Sequence, residues 1–298
     1  MSEASERNQL GGLARSIDAL FSGREAGVAA VPEQDARTGA PEASPEEEAE
    51  AERLVSELAT VRDEERHREL IDACVRSGLP AARAAAKALA STDDRFARRV
   101  YVETLIAIGR PCMPVLEGMM EDPRWFVVRS GVAVLGEVGG DEAVGVLTGA
   151  LARSEPKVRR DALLALAKVG GPDAGQLAYG MLDDPDQTVR VAAAAAAGSL
   201  GVARALRPLI AMLAEEDDPD LTVAALHALG LLRDPAAVQA IERHAVGSFL
   251  RRPAPDVRIA AYRALRHIGT PRARRLLNQA VDDRDPSVKA EVRRLLGM

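Results

Sequence analysis

The residues best equipped for chemistry are few, and their spacing does not suit it. Four histidines, His67, His227, His244 and His267, make no HExxH pair and no recurring His-Glu couple, the arrangements that place metal ligands on one helix face. Cys74 and Cys112 lack metal-ligand spacing and read as small buried thiols of a reducing compartment. GEVGGDEAVG (136–145) has the glycines of a phosphate loop but no Gly-Lys-Ser/Thr ending, and it reads better as a helix stop, a turn and a helix start. There is no GxSxG elbow. No catalytic residue, metal ligand or cofactor is therefore expected. Recognition chemistry is better represented. Trp125-Phe126 is an aromatic couple in a chain only 3% aromatic, and such residues anchor interfaces. Arg251, Arg252, Arg263, Arg266, Arg272, Arg274, Arg275, Arg293 and Arg294 crowd the C-terminal end. Arginines so placed could meet an acidic protein or track nucleic-acid phosphates.

Charge sharpens that contrast. Residues 1–72 carry 18 acids against 8 Lys+Arg, a net of −10, whereas residues 243–298 carry 5 against 13, a net of +8. A protein partner, at least one of them acidic, explains the basic end, with nucleic acid as the rival reading. The start MSEASERNQL has no charged-then-apolar leader pattern and no apolar run reaches membrane-spanning length, so cytoplasmic residence and no membrane partner are expected.

The elements that must position these residues come from a repeat. An acidic residue and proline, a short gap, then valine and a basic residue open an apolar run, as in DPRWFVVR (122–129), SEPKVR (154–159), DPDQTVR (184–190), APDVR (254–258) and DPSVK (285–289). The Val-basic pair falls at 128/129, 158/159, 189/190, 257/258 and 288/289, with Val223-Ala224 as a degenerate copy and Ala97-Arg98 as a weaker one upstream. Proline at a first helical turn sacrifices an N–H that had no partner, and the aspartate caps free amides. Gly109, Gly139, Gly170, Gly201 and Gly269 then stop the helix, while one copy breaks the pattern with an early Gly230. A second amphipathic helix such as EAVGVLTGALAR (142–153) follows. One helix pair cannot cover its own apolar face, so pairs must stack. VAAAAAAGSLG (191–201) reads as a helix shaved down for close approach.

This pattern resembles HEAT repeats, most nearly the short bacterial class related to phycobilisome-lyase repeats, over residues 79–298. The resemblance implies an all-α, right-handed α–α superhelix of about seven helix pairs, with the second helix of each pair on the inner surface. It also implies that Arg98, Arg129, Arg159, Arg190, Arg258 and Lys289 form a structural ladder, paired with turn aspartates such as Asp122, Asp184 and Asp285. A bilin-lyase-like enzyme or lyase subunit is the alternative activity it carries, although no residue here matches a lyase-specific site.

Residues 1–45 are expected to be disordered apart from a short amphipathic helix at 8–22, with Leu10, Leu13, Ile17, Leu20 and Phe21 on one side. Such a helix on a leash has the form of a docking peptide. Residues 46–78 should form acidic helices that cap the first repeat. The chain is thus expected to be a non-enzymatic scaffold or adaptor, of a kind suited to a bacterial signalling or motility assembly.

Overall fold

The computed structural model describes residues 43–215, 218–247 and 252–298. Among them all regular structure is helical, with sixteen α-helices, three single-turn 3₁₀ segments and no strand. The helices fall into two compact units that divide between Val169 and Gly170.

The first unit holds α1 (Pro45–Leu58), α2 (Glu64–Ser77), α3 (Leu79–Ser91), α4 (Arg95–Ile108), α5 (Met113–Glu121), α6 (Trp125–Val138), α7 (Asp141–Leu151) and α8 (Pro156–Val169). Ser44 opens α1 with a reciprocal capping box to Glu47. Helix α1 buries Ala51, Val55 and Leu58, and it joins α3 through Glu48–Arg83 at 3.5 Å and Glu52–Lys87 at 2.8 Å. The second unit holds α9 (Pro172–Gly180), α10 (Gln187–Ser199), α11 (Leu206–Glu215), α12 (Pro219–Leu232), α13 (Val238–Val246), α14 (Pro255–Ile268), α15 (Pro271–Gln279) and α16 (Pro286–Leu296).

Both units use one grammar. Asp63, Asp94, Asp186, Asp218 and Asp285 each accept a hydrogen bond from a first-turn backbone N–H of the following helix. Fifteen residues after the cap the chain turns through positive φ, as at Gly109 after Asp94, Gly139 after Arg124, Gly201 after Asp186 and Gly269 after Ala254. The same spacing joins Asp63 to Gly78, one unit upstream of the first repeat legible in the sequence. It also joins Asp218 to Arg233, which takes the stop position with φ 54°. Gly230 is therefore no early stop. It lies within α12, where a Cβ would sit 2.8 Å from the Ala264 Cα.

This count from the cap corrects two of the expected pairs. Ala97-Arg98, Val189-Arg190, Val257-Arg258 and Val288-Lys289 stand three and four residues after their caps. In α6 those places belong to Val127 and Val128, which puts Arg129 one step beyond the ladder register. In α12 they belong to Leu221 and Thr222, not Val223 and Ala224.

The two layers of helices pack differently. Within the second unit α10, α12 and α14 pack flank to flank, while α11, α13 and α15 stand farther apart. Backbones meet where glycine sits twelve residues after the cap, with Gly198 against Ala228 and Gly230 against Ala264. In the first unit Gly136 of α6 meets Ala165 of α8 in the same way. In the second unit the helices carrying the Val-basic pair therefore form the tighter layer, whereas in the first unit only α6 and α8 approach in this way. Helix α10 has every residue from Val191 to Gly198 buried, consistent with its run of alanines.

Candidate protein-binding surface

Phe96 and Phe126 occupy the same place in consecutive repeats, two residues after the caps of α4 and α6. Arg62 lies over the Phe96 ring at 4.7 Å, and Arg98 lies over the Phe126 ring at 4.6 Å. Arg124 approaches Phe126 from 6.0 Å, and Trp125 meets the same ring edge-on at 6.3 Å. The result is a row of two guanidinium–aromatic groups, one at the N-terminal end of α4 and one at that of α6. Phe96 is 41% exposed and Trp125 44%, so Trp125 is no core anchor. Arg124 is held in place by Asp122, with Nε–Oδ1 at 2.9 Å and Nη2–Oδ2 at 2.6 Å, and it donates to the Ala90 carbonyl at 2.6 Å. Helix α6 has this arginine at its cap and no side-chain capping bond, unlike α4.

The ladder residues behave differently. Arg98 donates to the Thr92 carbonyl at 2.7 Å, Arg159 to Arg153 and Ser154 at 2.9 Å each, and Arg190 to Asp184 and Pro185 at 3.0 and 3.3 Å. Each reaches back five or six residues to carbonyls of the turn before its own helix. Arg129, out of register, pairs instead with Asp161 of α8. Lys289 meets Asp282 at 3.2 Å. Arg258, almost fully buried, pairs with Asp283, which Arg252 also reaches at 2.7 Å. Burial alone would raise the Asp283 carboxyl; the Arg258 and Arg252 charges and the Asp285 N–H outweigh it and hold the group below its usual range. Asp122 is taken by Arg124, and Asp285 caps its own helix.

The family model for HEAT repeats matches residues 176–248 and 244–298. Residues 176–298 are thus HEAT repeats. No curated protein matches its sequence. Among solved structures, the Escherichia coli protein YibA aligns with 88% of this chain and 100% of its own, at 14% identity and a TM-score of 0.51, a likeness of fold. The complex of CpcE and CpcF of phycocyanin lyase from Nostoc sp. aligns at 21% identity over 89% of this chain and 100% of that one, TM-score 0.41. Human deoxyhypusine hydroxylase aligns at 18% identity over 84% and 96%, TM-score 0.36.

The basic end of these HEAT repeats is largely tied down. Arg263 pairs with Glu291 at 2.8 Å, Arg272 with Glu242 at 2.6 Å, Arg293 with Asp282 at 3.1 Å and Arg294 with Glu291 at 2.6 Å. Arg266 donates to the Leu295 carbonyl at 3.0 Å. Arg274 and Arg275 on α15 are exposed and make no ion pair among the described residues. Arg251 lies outside the described residues, as do Leu10, Leu13, Ile17, Leu20 and Phe21.

Burial raises the Cys74 thiol to about 11 and the Cys112 thiol to about 12, which suppresses thiolate chemistry at neutral pH. Among the described residues no three His, Cys, Asp or Glu side chains gather into a metal-holding group, and no helix is long and apolar enough to cross a membrane. Sequence reasoning found Trp125 and Phe126 but missed Phe96 and Arg62. The signal was available, because Phe96 stands thirty residues before Phe126 at the same distance from its cap.

Proposed function

We propose that the chain is a non-enzymatic protein-binding scaffold whose contact surface in the first unit is the row Arg62, Phe96, Arg98, Phe126 and Trp125. The observation that carries this reading is the exposure of two large aromatic side chains in adjacent repeats. In the second unit the place two residues after the cap holds Thr188, Asp220, Asp256 and Ser287, so the repeat itself does not require an aromatic there. Exposed rings on a stable element contribute little to its core but much to an interface, where aromatics and arginines carry most of the binding energy.

In this reading residues 8–22 form a second, tethered contact, and two linked contacts raise the effective concentration of whatever each one holds. Arg274 and Arg275 remain available for a further acidic contact.

Partner capture tests the main surface. Full-length Trp125→Ser and Phe96→Ser should melt within a few degrees of wild type, since both side chains are substantially exposed. They should retain less than about a tenth of the captured partner, as expected for loss of an aromatic anchor. Undiminished capture by both variants would remove the row from the function.

A further inference from the structure

We propose that the outward face of α11, α13 and α15 docks an acidic, extended segment of a partner protein, with its carboxylates on Arg207, Arg243 and Arg275. The proposal rests on the protein-binding reading above but assigns a different surface, in the second unit.

Helix geometry defines this face. Arg207 stands midway between the buried Ala205 and Leu209, Arg243 between Ile241 and Ala245, and Arg275 between Ala273 and Leu277. Two residues along a helix are a rotation of about 200°, so each arginine points away from the core. All three are exposed. Their helices form one layer. The His244 ring meets the Leu213 carbonyl at 3.1 Å, joining α13 to α11, and Arg272 pairs with Glu242 at 2.6 Å, joining α15 to α13. Arg207 and Arg275 hold the same repeat place, five residues after the caps Val202 and Thr270, and Arg243 lies on the helix between them. Packed helices lie about 8–10 Å apart, which sets Arg207 and Arg275 about 20 Å from each other. An extended chain rising about 3.3 Å per residue crosses that span in about six residues.

Charge on this layer is one-sided. Residues 203–215, 235–246 and 271–280 contain six arginines and two glutamates. Glu242 is held by Arg272, and Glu215 ends α11 about two turns beyond Arg207. Of the carboxylates that border the layer, Asp234 accepts from the Ala236 N–H at 2.8 Å and Asp218 from the Leu221 N–H at 2.9 Å, while Asp282 pairs with Lys289 and Arg293. Asp173 of α9 is exposed without an ion pair among the described residues, against Arg207, Arg243, Arg274 and Arg275 in the same state. The guanidinium fork of each matches a carboxylate. Val246, 52% exposed and three residues beyond Arg243 on the same side, offers an apolar seat beside these cations. That seat suits a peptide side chain better than a phosphate backbone. A nucleic-acid base needs an open ring face, and the Tyr179 ring beside α11 is covered by Arg204 at 4.1 Å.

Fluorescence anisotropy on the full chain tests this with a short labelled peptide in which Glu-Asp pairs alternate with Leu. Its Gln-Asn counterpart and a labelled oligothymidylate are run beside it. The acidic peptide should bind, and the Gln-Asn peptide should bind at least about tenfold more weakly. Arg207→Ser with Arg275→Ser should weaken the acidic peptide by a similar factor at an unchanged melting temperature. Arg62→Ser with Arg95→Ser removes the same charge from the first unit and should leave the affinity unchanged. No binding of the acidic peptide, equal binding of the two peptides, or equal loss in the two double variants would each overturn the proposal. So would oligothymidylate that competes as strongly as the peptide, or sedimentation showing self-association that Arg207→Ser with Arg275→Ser abolishes, which would make a second copy the occupant. Those outcomes leave the scaffold reading to be judged by partner capture with Trp125→Ser and Phe96→Ser.

Discussion

Arg233 carries the only positive φ found outside glycine among the described residues, at a place where the other repeats turn through Gly109, Gly139, Gly201 or Gly269. A side chain in that left-handed region brings Cβ against the following carbonyl, at a cost of about 1–2 kcal/mol. Replacing it with glycine removes that strain and returns part of the gain as unfolded-chain entropy. Arg233→Gly should therefore stabilise the chain by about 1 kcal/mol, read as a midpoint shift in urea at unchanged slope; a lower midpoint would show that the Arg233 side chain contributes more than its backbone costs. Glu291 gives a second residue-level test. Arg294 and then Arg263 hold its carboxyl down to about 2 from 4.5 against the opposing effect of burial. A carboxylate with a depressed folded pKa contributes stability that is fully present above about 4.5 and lost as pH falls toward about 2. Glu291→Gln should lower the melting temperature at neutral pH and converge on wild type near pH 2. A constant difference across that window would mean that the two ion pairs do not set the acid sensitivity.

At the scale of helices, stability turns on how closely they approach. A Cβ at residue 198 would fall 2.5 Å from the Ala228 Cα, and one at residue 230 would fall 2.8 Å from the Ala264 Cα. In an open helix alanine gains about 1 kcal/mol over glycine. Here the obstacle is another helix's backbone, which cannot swing aside as a long side chain would. Gly198→Ala and Gly230→Ala should each destabilise by about 1–3 kcal/mol, the range for overpacked cores. Gly145→Ala, facing open space on α7, should be neutral or stabilising in the same denaturation series. The contrast also explains what the sequence could reveal. Asp caps, proline starts and glycine stops are local signals, so the helix-pair repeat is legible in the order of the residues alone. Register is harder to read, because Val127, Val128 and Arg129 all satisfy the local pattern in α6 and only tertiary packing chooses among them. The aromatic row is half legible for the same reason, since Trp125-Phe126 stands out as a couple while Phe96 matters only once its repeat is laid beside the next.

At the scale of the molecule, the +8 balance of residues 243–298 argues for a polyanion partner only while those charges remain free. Arg252, Arg258, Arg263, Arg272, Arg293 and Arg294 all engage carboxylates of this chain. The exposed pairs among them are individually weak, so a strong polyanion could open some, but the buried Arg258–Asp283 pair cannot be separated cheaply. Arg243, Arg274, Arg275 and Arg284 are left without an ion pair among the described residues, as is Arg266, which the Leu295 carbonyl holds. Their contact with DNA phosphates would release roughly two to four counterions, and the whole chain, at −6, opposes even that. Titration with random-sequence duplex DNA should therefore show weak binding at low salt that vanishes by moderate salt. The slope of log affinity against log salt should be no steeper than about −4. A slope of about −6 or steeper would mean that DNA opens the internal ion pairs and recruits those arginines, which would make the basic end a nucleic-acid surface. A shallow slope leaves those arginines with their structural role of holding α14, α15 and α16 to their neighbours.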